Sequence, residues 1–226
     1  MLDRHFAEAL RAIQADPWFE GRLAGARVLC LGSGGGRQSV LYAAAGAEVT
    51  VVDISPHMLD LDRQIARQRR LDVRLLQASI DDLSALPAAS FELVVQPVSS
   101  CYVPDVAAVY RQVARVVVAG GIYVSQHKQP ASLQCVGAAT AGGYALSEPY
   151  YRSGPLPPVT GSVWREEGTL EFLHRWEQLI GGLCRAGFVV EDLSEPRHAA
   201  SGAPRNSFAD RCQYLPPYVR IKARRR

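Results

Sequence analysis

The stretch Val28-Leu29-Cys30-Leu31-Gly32-Ser33-Gly34-Gly35-Gly36-Arg37-Gln38-Ser39-Val40-Leu41, followed by Val49-Thr50-Val51-Val52-Asp53-Ile54-Ser55, decides the fold. A short apolar run ends in a glycine cluster, an apolar-periodic segment closes at Gly46, and a β-branched run ends in an acid. This is a strand, a tight turn, a helix and a second strand, one βαβ unit of a nucleotide-binding sheet. Such a turn lets a ligand approach bare backbone at the amino end of the helix, and an acid about 20 residues on can take both ribose hydroxyls. Asp53 stands at that place.

The register of the glycines separates two ligands. A dinucleotide fingerprint needs a small residue at the last position of G-x-G-x-x-G, where helix and strand pack closely. Counted from Gly32 and Gly34 that position is Arg37, a poor fit. What remains, Gly32-Ser33-Gly34-Gly35-Gly36, resembles the first motif of the class I S-adenosylmethionine-dependent methyltransferases. The resemblance implies that the glycine turn passes the methionine part of the cofactor, with Gly32, Ser33, Gly34 and Gly36 in contact, and that Asp53 binds the ribose. Val52–Leu59 extends it, because residues just after the acid line the adenine in that family; Ile54 and Met58 are the candidates, with Met58 equally suited to fill the core. Family members often carry Gly-Asp where this chain has Ala78-Ser79. The acid is missing, which leaves Ser79 or Asp81, with Ile80 beside them, for the adenine end.

Along the rest of the chain, Phe6, Ala9, Leu10 and Ile13 have helical spacing, and Asp16-Pro17 starts a short turn whose Trp18 and Phe19 either pack the segment onto the domain or form part of a lid. After Asp53, Ser55-Pro56 caps a helix with Met58, Leu59, Leu61 and Ile65 on its buried side. Strands follow at Val73–Gln77 and Phe91–Val98, the latter a continuous apolar run, as a strand covered on both faces requires. Its polar end, Gln96, and the following Ser99-Ser100-Cys101-Tyr102 resemble the family's motif bordering the reacting methyl, so Gln96 is placed at the cofactor and Tyr102 at the acceptor. Pro104-Asp105 opens a helix ended by Gly120-Gly121, and Ile122–Ser125 is the next strand.

Residues 126–168 then dissolve into Gly, Pro, Ser and aromatics, the place where this family often inserts an acceptor-binding cap. Tyr150, Tyr151 and Trp164 can wall an apolar acceptor and Arg152 can pair with an anion; the competing reading is a surface loop. Thr169 caps a helix with Leu170, Leu173, Trp176, Leu179, Ile180 and Leu183 inward, and strands Phe188–Leu193 and Tyr218–Lys222 close the chain. The expected fold is α/β: a Rossmann-like, doubly wound, mainly parallel seven-stranded sheet with an antiparallel final strand and helices on both faces. It forms a single domain over 1–226, with a helical segment at 1–26 and a substrate cap at 126–168.

The 226 residues, 48% hydrophobic, suffice for one sizeable core. A net charge of +3 argues against nucleic acid as partner, and the basic run Lys222-Ala223-Arg224-Arg225-Arg226 reads as a solvated tail. No apolar run reaches the length of a membrane span and Met1–His5 lacks a signal-peptide pattern, so a cytoplasmic location is expected. The five cysteines are widely spaced, without a C-x-x-C pair, which supports neither a metal site nor a disulfide framework.

The chemistry expected is in-line attack by a small-molecule nucleophile on the sulfonium methyl of S-adenosylmethionine, giving S-adenosylhomocysteine. Here a protein mainly supplies alignment and exclusion of water. If the acceptor must lose a proton, His127 at the carboxyl edge is the candidate base. Two alternatives stand beside this: an NAD(P)-dependent oxidoreductase, opposed by Arg37 and by the missing Tyr-x-x-x-Lys pair, and a non-catalytic cofactor-binding partner protein, suggested by Ser79 in place of an acid. The atom methylated, O, N or C, and the oligomeric state are open.

Overall fold

The computed structural model describes residues 2–19, 21–32, 35–162 and 164–226. The first strand, β1 (Arg27–Leu31), turns Val28 and Cys30 into one apolar cluster and Leu29 and Leu31 into another. That alternation is the pleat, and an apolar residue at every position is what a strand covered on both faces needs. After the glycine turn come α2 (Ser39–Ala44), β2 (Glu48–Asp53), α3 (Pro56–Arg69) and β3 (Val73–Gln77). Ser55 caps α3 by accepting a hydrogen bond from the Met58 amide at 3.3 Å, Pro56 fills the first turn, and Arg70 ends the helix in a left-handed conformation. The opening helix, α1 (Leu2–Ala15), leads into a 3-10 turn at Pro17–Phe19.

Beyond β4 (Phe91–Gln96) lie α4 (Val106–Val116) and β5 (Val117–Lys128). The capped segment 129–176, with α5 (Pro130–Gln134), follows. A π-helical turn (Glu177–Gly181) runs into α6 (Gly182–Arg185), then come β6 (Phe188–Ser194), α7 (Phe208–Arg211) and β7 (Tyr218–Arg225). The seven strands form one sheet in the order β3-β2-β1-β4-β5-β7-β6. Neighbours from β3 through β5 are parallel, whereas β7 is antiparallel to both β5 and β6 and lies between them. This is the Rossmann-like sheet with an antiparallel last strand that the sequence implies. Among the described residues no helix is long and apolar enough to cross a membrane.

The core lies on both faces of the sheet. On one, Val106, Val109, Tyr110, Val113 and Val116 of α4 meet Leu29, Leu31, Val94 and Tyr123 together with Leu179 and Leu183. On the other, Tyr42, Leu59, Trp18 and Phe19 cover Val28, Cys30, Val49 and Val51. Trp18 and Phe19 are therefore packing residues: Phe19 meets Tyr42 edge-on at 5.7 Å and Trp18 Nε1 donates to Asp192 at 2.8 Å.

Several boundaries differ from the sequence reading, each for a physical reason. β4 stops at Gln96 because Pro97 has no amide to continue a ladder. β5 starts immediately after α4, not after Gly120-Gly121; those glycines sit in a bulge, since Phe91 pairs with Val117 but Leu93 with Ile122. The helix placed from Thr169 begins only at Glu177, and Leu170 is exposed. Residues 171–175 form no regular element and are held instead by the Phe172 amide donating to the Cys101 carbonyl at 2.7 Å and by His174 Nε2 bonded to the Ser100 and Val103 carbonyls at 2.9 and 3.0 Å. The basic run Lys222–Arg226 is no tail. It completes β7, where Lys222 and Arg224 pair with Glu191, and Arg225 donates to the Ala114 carbonyl at 3.1 Å.

Candidate cofactor and acceptor site

Chain order leaves β1 in one direction through β2 and β3 and resumes on its other side with β4. The loops after β1 and β4 therefore diverge, and in open α/β sheets ligands bind in the crevice this opens at the carboxyl ends of the strands. A cleft of about 310 Å³ lies there. It is lined by residues that follow four successive strands: Gly32 after β1, Asp53 and Ile54 at the end of β2, Ser79 and Ile80 after β3, and Val98, Ser99, Tyr102 and Val103 after β4. Met58 of α3 and Glu166 of the capped segment complete it. A larger hollow, about 590 Å³, opens at the opposite edge among strand beginnings such as Arg27 and Glu48, away from these converging loops.

The geometry of the cleft follows from its turns. Gly32 has φ +54°, and a Cβ there would lie 2.8 Å from both Cβ and Oγ of Ser99, so only glycine lets the first turn abut the loop after β4. Asp53 is nearly buried; its backbone carbonyl accepts from Ala78 and its Oδ1 from the Ser55 amide at 2.9 Å. Among the described residues Asp53 Oδ2 accepts no hydrogen bond. One carboxylate oxygen is thus fixed by the next turn and the other is left for a ligand. Ile54, 68% exposed, offers an unpartnered apolar face at the mouth. The Ser79 hydroxyl donates to the Asp81 carboxylate, so the acid absent from the sequence position is supplied two residues later, behind the hydroxyl. At the other end the Tyr102 hydroxyl donates to Glu166 Oε2 at 2.8 Å. Burial, then the neighbouring Cys101 thiol and the bond to Glu166, push the Tyr102 pKa well up, so its oxygen keeps its proton.

Seven of the residues expected at the site converge on this one cleft: Gly32, Asp53, Ile54, Met58, Ser79, Ile80 and Tyr102. Ser33 and Gly34 lie outside the described residues. Gly36 stands elsewhere, with φ +77° and a hypothetical Cβ 2.6 Å from Ile65 Cδ1, so it lets the turn pack on α3 and does not line the cleft. Gln96 is buried behind the wall, where its Nε2 donates to Ser99 Oγ at 3.0 Å and its Oε1 accepts from the Tyr123 hydroxyl. It positions Ser99. Tyr150 packs against Leu133, Leu156 and Leu173, Tyr151 is exposed, and Arg152 binds Glu148 and the Pro155 carbonyl; none of the three reaches this cleft.

His127 lies inside β5, not on a loop past it, and is wholly buried. Its Nδ1 shares a hydrogen bond with Ser100 Oγ at 2.7 Å and its Nε2 with Ser125 Oγ at 2.8 Å. Burial, with a smaller contribution from nearby His174, drives its pKa down to about 3, so the ring is neutral at ordinary pH. The ring joins β5 to the turn that carries Tyr102 and is not among the groups lining the cleft.

Ser99, in the post-β4 stretch that the sequence singled out, lines the cleft; sequence reading missed Val98 and Val103, which flank that stretch, and it missed Glu166 altogether. Nothing local marks Glu166; only the fold of the cap brings it to Tyr102.

The sheet order and a carboxyl-edge cleft around Gly32 and Asp53 define a protein of the Rossmann-like α/β class, whose ligands bind at that edge. Known proteins narrow this further. The family model described as a methyltransferase domain matches residues 29–125. The uncharacterized methyltransferase YbaJ of Bacillus subtilis (strain 168) is 35% identical over 184 residues, covering 80% of this chain and 72% of that protein. The ubiquinone biosynthesis O-methyltransferase of Xanthomonas oryzae pv. oryzae is 37% identical over 153 residues, 66% of this chain and 64% of its own length, so the chain spans less than two thirds of that relative. An S-adenosylmethionine dependent methyltransferase from Mesorhizobium loti superposes with a TM-score of 0.72 at 24% identity, covering 96% of each chain, a likeness of fold. The chain belongs to the class I S-adenosylmethionine-dependent methyltransferase family.

Proposed function

We propose that this methyltransferase binds S-adenosylmethionine in the cleft between Gly32, Asp53 and Ser79 and transfers its methyl group to a small-molecule acceptor admitted beside Tyr102 and Glu166. The observation that carries the reading is Asp53: a nearly buried carboxylate at the end of β2 that lines the cleft, with Oδ1 fixed and Oδ2 accepting no hydrogen bond among the described residues. The residues fit the group. A volume of about 310 Å³ is at the lower end of small-molecule sites, roughly 300–1,000 Å³. The apolar faces of Ile54, Met58 and Ile80 suit an adenine ring, and a cleft lined by the acids Asp53 and Glu166 suits a ligand with a positive centre.

When bound, S-adenosylmethionine supplies a methyl group on a sulfonium centre that is already a good leaving group. The protein's own contribution is alignment and exclusion of water. Asp53 fixes the ribose end, while the Gly32–Ser99 contact brings the loops after β1 and β4 together at the reacting end. Tyr102, protonated and donating to Glu166, orients an acceptor by its ring face. The Glu166 carboxylate is the group beside the acceptor position that can receive a proton, a role the geometry denies to the buried His127. The kinship with ubiquinone biosynthesis O-methyltransferases favours a hydroxyl acceptor, for which such a carboxylate is useful.

The test is calorimetric titration with S-adenosylhomocysteine, with NADH as a parallel ligand. Micromolar binding of S-adenosylhomocysteine and none of NADH is expected; the reverse would overturn the cofactor assignment. Turnover on hydroxyaromatic acceptors, with Glu166→Gln lowering kcat while leaving S-adenosylhomocysteine affinity unchanged, then distinguishes an enzyme from a silent cofactor binder.

A further inference from the structure

The capped segment borders a second, partly open cavity of about 420 Å³, lined by residues 135–138, 158–162, Trp164, Arg165 and Asn206. Arg165 is only 5% exposed. Its Nε donates to Glu171, which is itself fully buried and also bound by Lys128. Among the described residues its Nη1, buried, has no hydrogen-bond partner. Behind the same wall Arg211, fully buried, stacks 4.8 Å from the Trp164 ring and donates to the Ser132 side chain and carbonyl at 2.9 and 2.5 Å. Arg211 makes no salt bridge among the described residues, and its Nε is likewise without a partner. The adjacent Asp210 accepts from the Tyr144 hydroxyl at 2.7 Å and the Asn206 amide at 3.0 Å. Lys128 and Arg165 thus share the one buried carboxylate of Glu171.

Burying guanidinium groups without enough anion or acceptor is costly, and a buried donor left without a partner calls for a water, an ion or a ligand to complete it. We infer that the second cavity binds an oxyanion, a carboxylate or phosphate group, carried by a small molecule whose apolar body rests on Trp164. Arg165 supplies the planar fork that matches such groups and Asn206 a polar side chain on the same wall. The position suggests what the molecule is. Arg165 lines this cavity and Glu166 lines the cofactor cleft, and consecutive Cα atoms are about 3.8 Å apart. The two spaces thus meet at one stretch of the cap, and the methyl acceptor is the molecule of this site that would carry the oxyanion. This last step rests on the proposed function.

The experiment uses the full chain and two probes, inorganic phosphate and benzoate, titrated calorimetrically against chloride at matched ionic strength. S-adenosylhomocysteine affinity is measured on the same samples. Arg165→Gln removes the fork while leaving Lys128 to neutralise Glu171, and Ala138→Trp fills the cavity without touching a charge. Binding of at least one probe by the wild type, weakened about tenfold or more in both variants while S-adenosylhomocysteine binding persists, is the expected result. Phosphate preferred over benzoate points to a phosphate ester, the reverse to an aromatic acid. No binding above chloride, or equal binding in wild type and Ala138→Trp, overturns the inference. Loss of S-adenosylhomocysteine binding in the wild type would instead strike the cofactor reading, and the two failures are read separately.

Discussion

At the scale of single residues, Asp53 and Gly32 serve the cleft while Gly36 serves the packing beside it. Asp53 offers one free carboxylate oxygen, and charge-assisted hydrogen bonds of this kind are worth about 1.5–3 kcal/mol. Asp53→Ala is accordingly expected to weaken S-adenosylhomocysteine binding by roughly 10- to 100-fold in calorimetry with the fold retained. The two glycines of the first turn separate by another experiment. Gly32→Ala places a Cβ 2.8 Å from Ser99 at φ +54°, and should lower both stability and affinity. Gly36→Ala places one 2.6 Å from Ile65 Cδ1 instead, at the packing surface of α3. It should cost stability in urea denaturation while the folded fraction keeps its ligand affinity. Equal affinity losses in the two variants would refute this division. The sequence marked both glycines with the same motif; only their neighbours distinguish a ligand-side glycine from a packing one.

At the scale of elements, the capped segment has its own small core of Leu133, Leu156 and Leu173 with Tyr150 against it. It is tied to the loop after β4 by the Phe172 amide and His174. Leu173→Ala should destabilise this unit by about 2–5 kcal/mol, as large-to-small changes in a core do. Hydrogen exchange should accelerate across 130–176 while β1 and β4 stay protected, because local unfolding follows local burial. Uniform acceleration would mean that cap and sheet unfold together. The same contacts explain why the helix placed at Thr169 fails to form until Glu177: apolar spacing at Leu170, Leu173 and Trp176 suits a helix, but tertiary hydrogen bonds to the Cys101, Ser100 and Val103 carbonyls outweigh a weak local propensity. Likewise Tyr150 and Arg152, placed by composition at an acceptor, serve the cap's interior and its surface.

At the scale of the whole molecule, the buried His127–Ser100–Ser125 contacts couple stability to pH. His127 is neutral in the folded protein, with its pKa held down to about 3 by burial. The unfolded chain binds a proton near pH 6.5, so its histidine takes up protons that the folded form refuses. The stabilisation is therefore complete above about pH 6.5 and is lost as pH falls toward 3, at up to about 1.4 kcal/mol per unit. His174, also lowered chiefly by burial, acts in the same direction. Urea midpoints at pH 7, 6 and 5 should fall steadily for the wild type and less steeply for His127→Asn. Parallel slopes would show that other groups carry the dependence.

The sequence by itself determined the sheet and one side of the site. Strand periodicity, the glycine cluster and the acid at Asp53 are properties of contiguous residues, and the short-range sterics of the pleat and of the turn act on them directly. It did so for Gly32, Asp53, Ile54 and Met58, which one βαβ unit brings together. The tertiary structure alone decided the rest. That Gln96 supports Ser99 from behind, that His127 is buried in β5, that Glu166 faces Tyr102, and that Arg165 turns into a second cavity all depend on contacts between segments far apart in the chain. Burial and partner choice at those positions are set by packing across the fold, which no local pattern encodes.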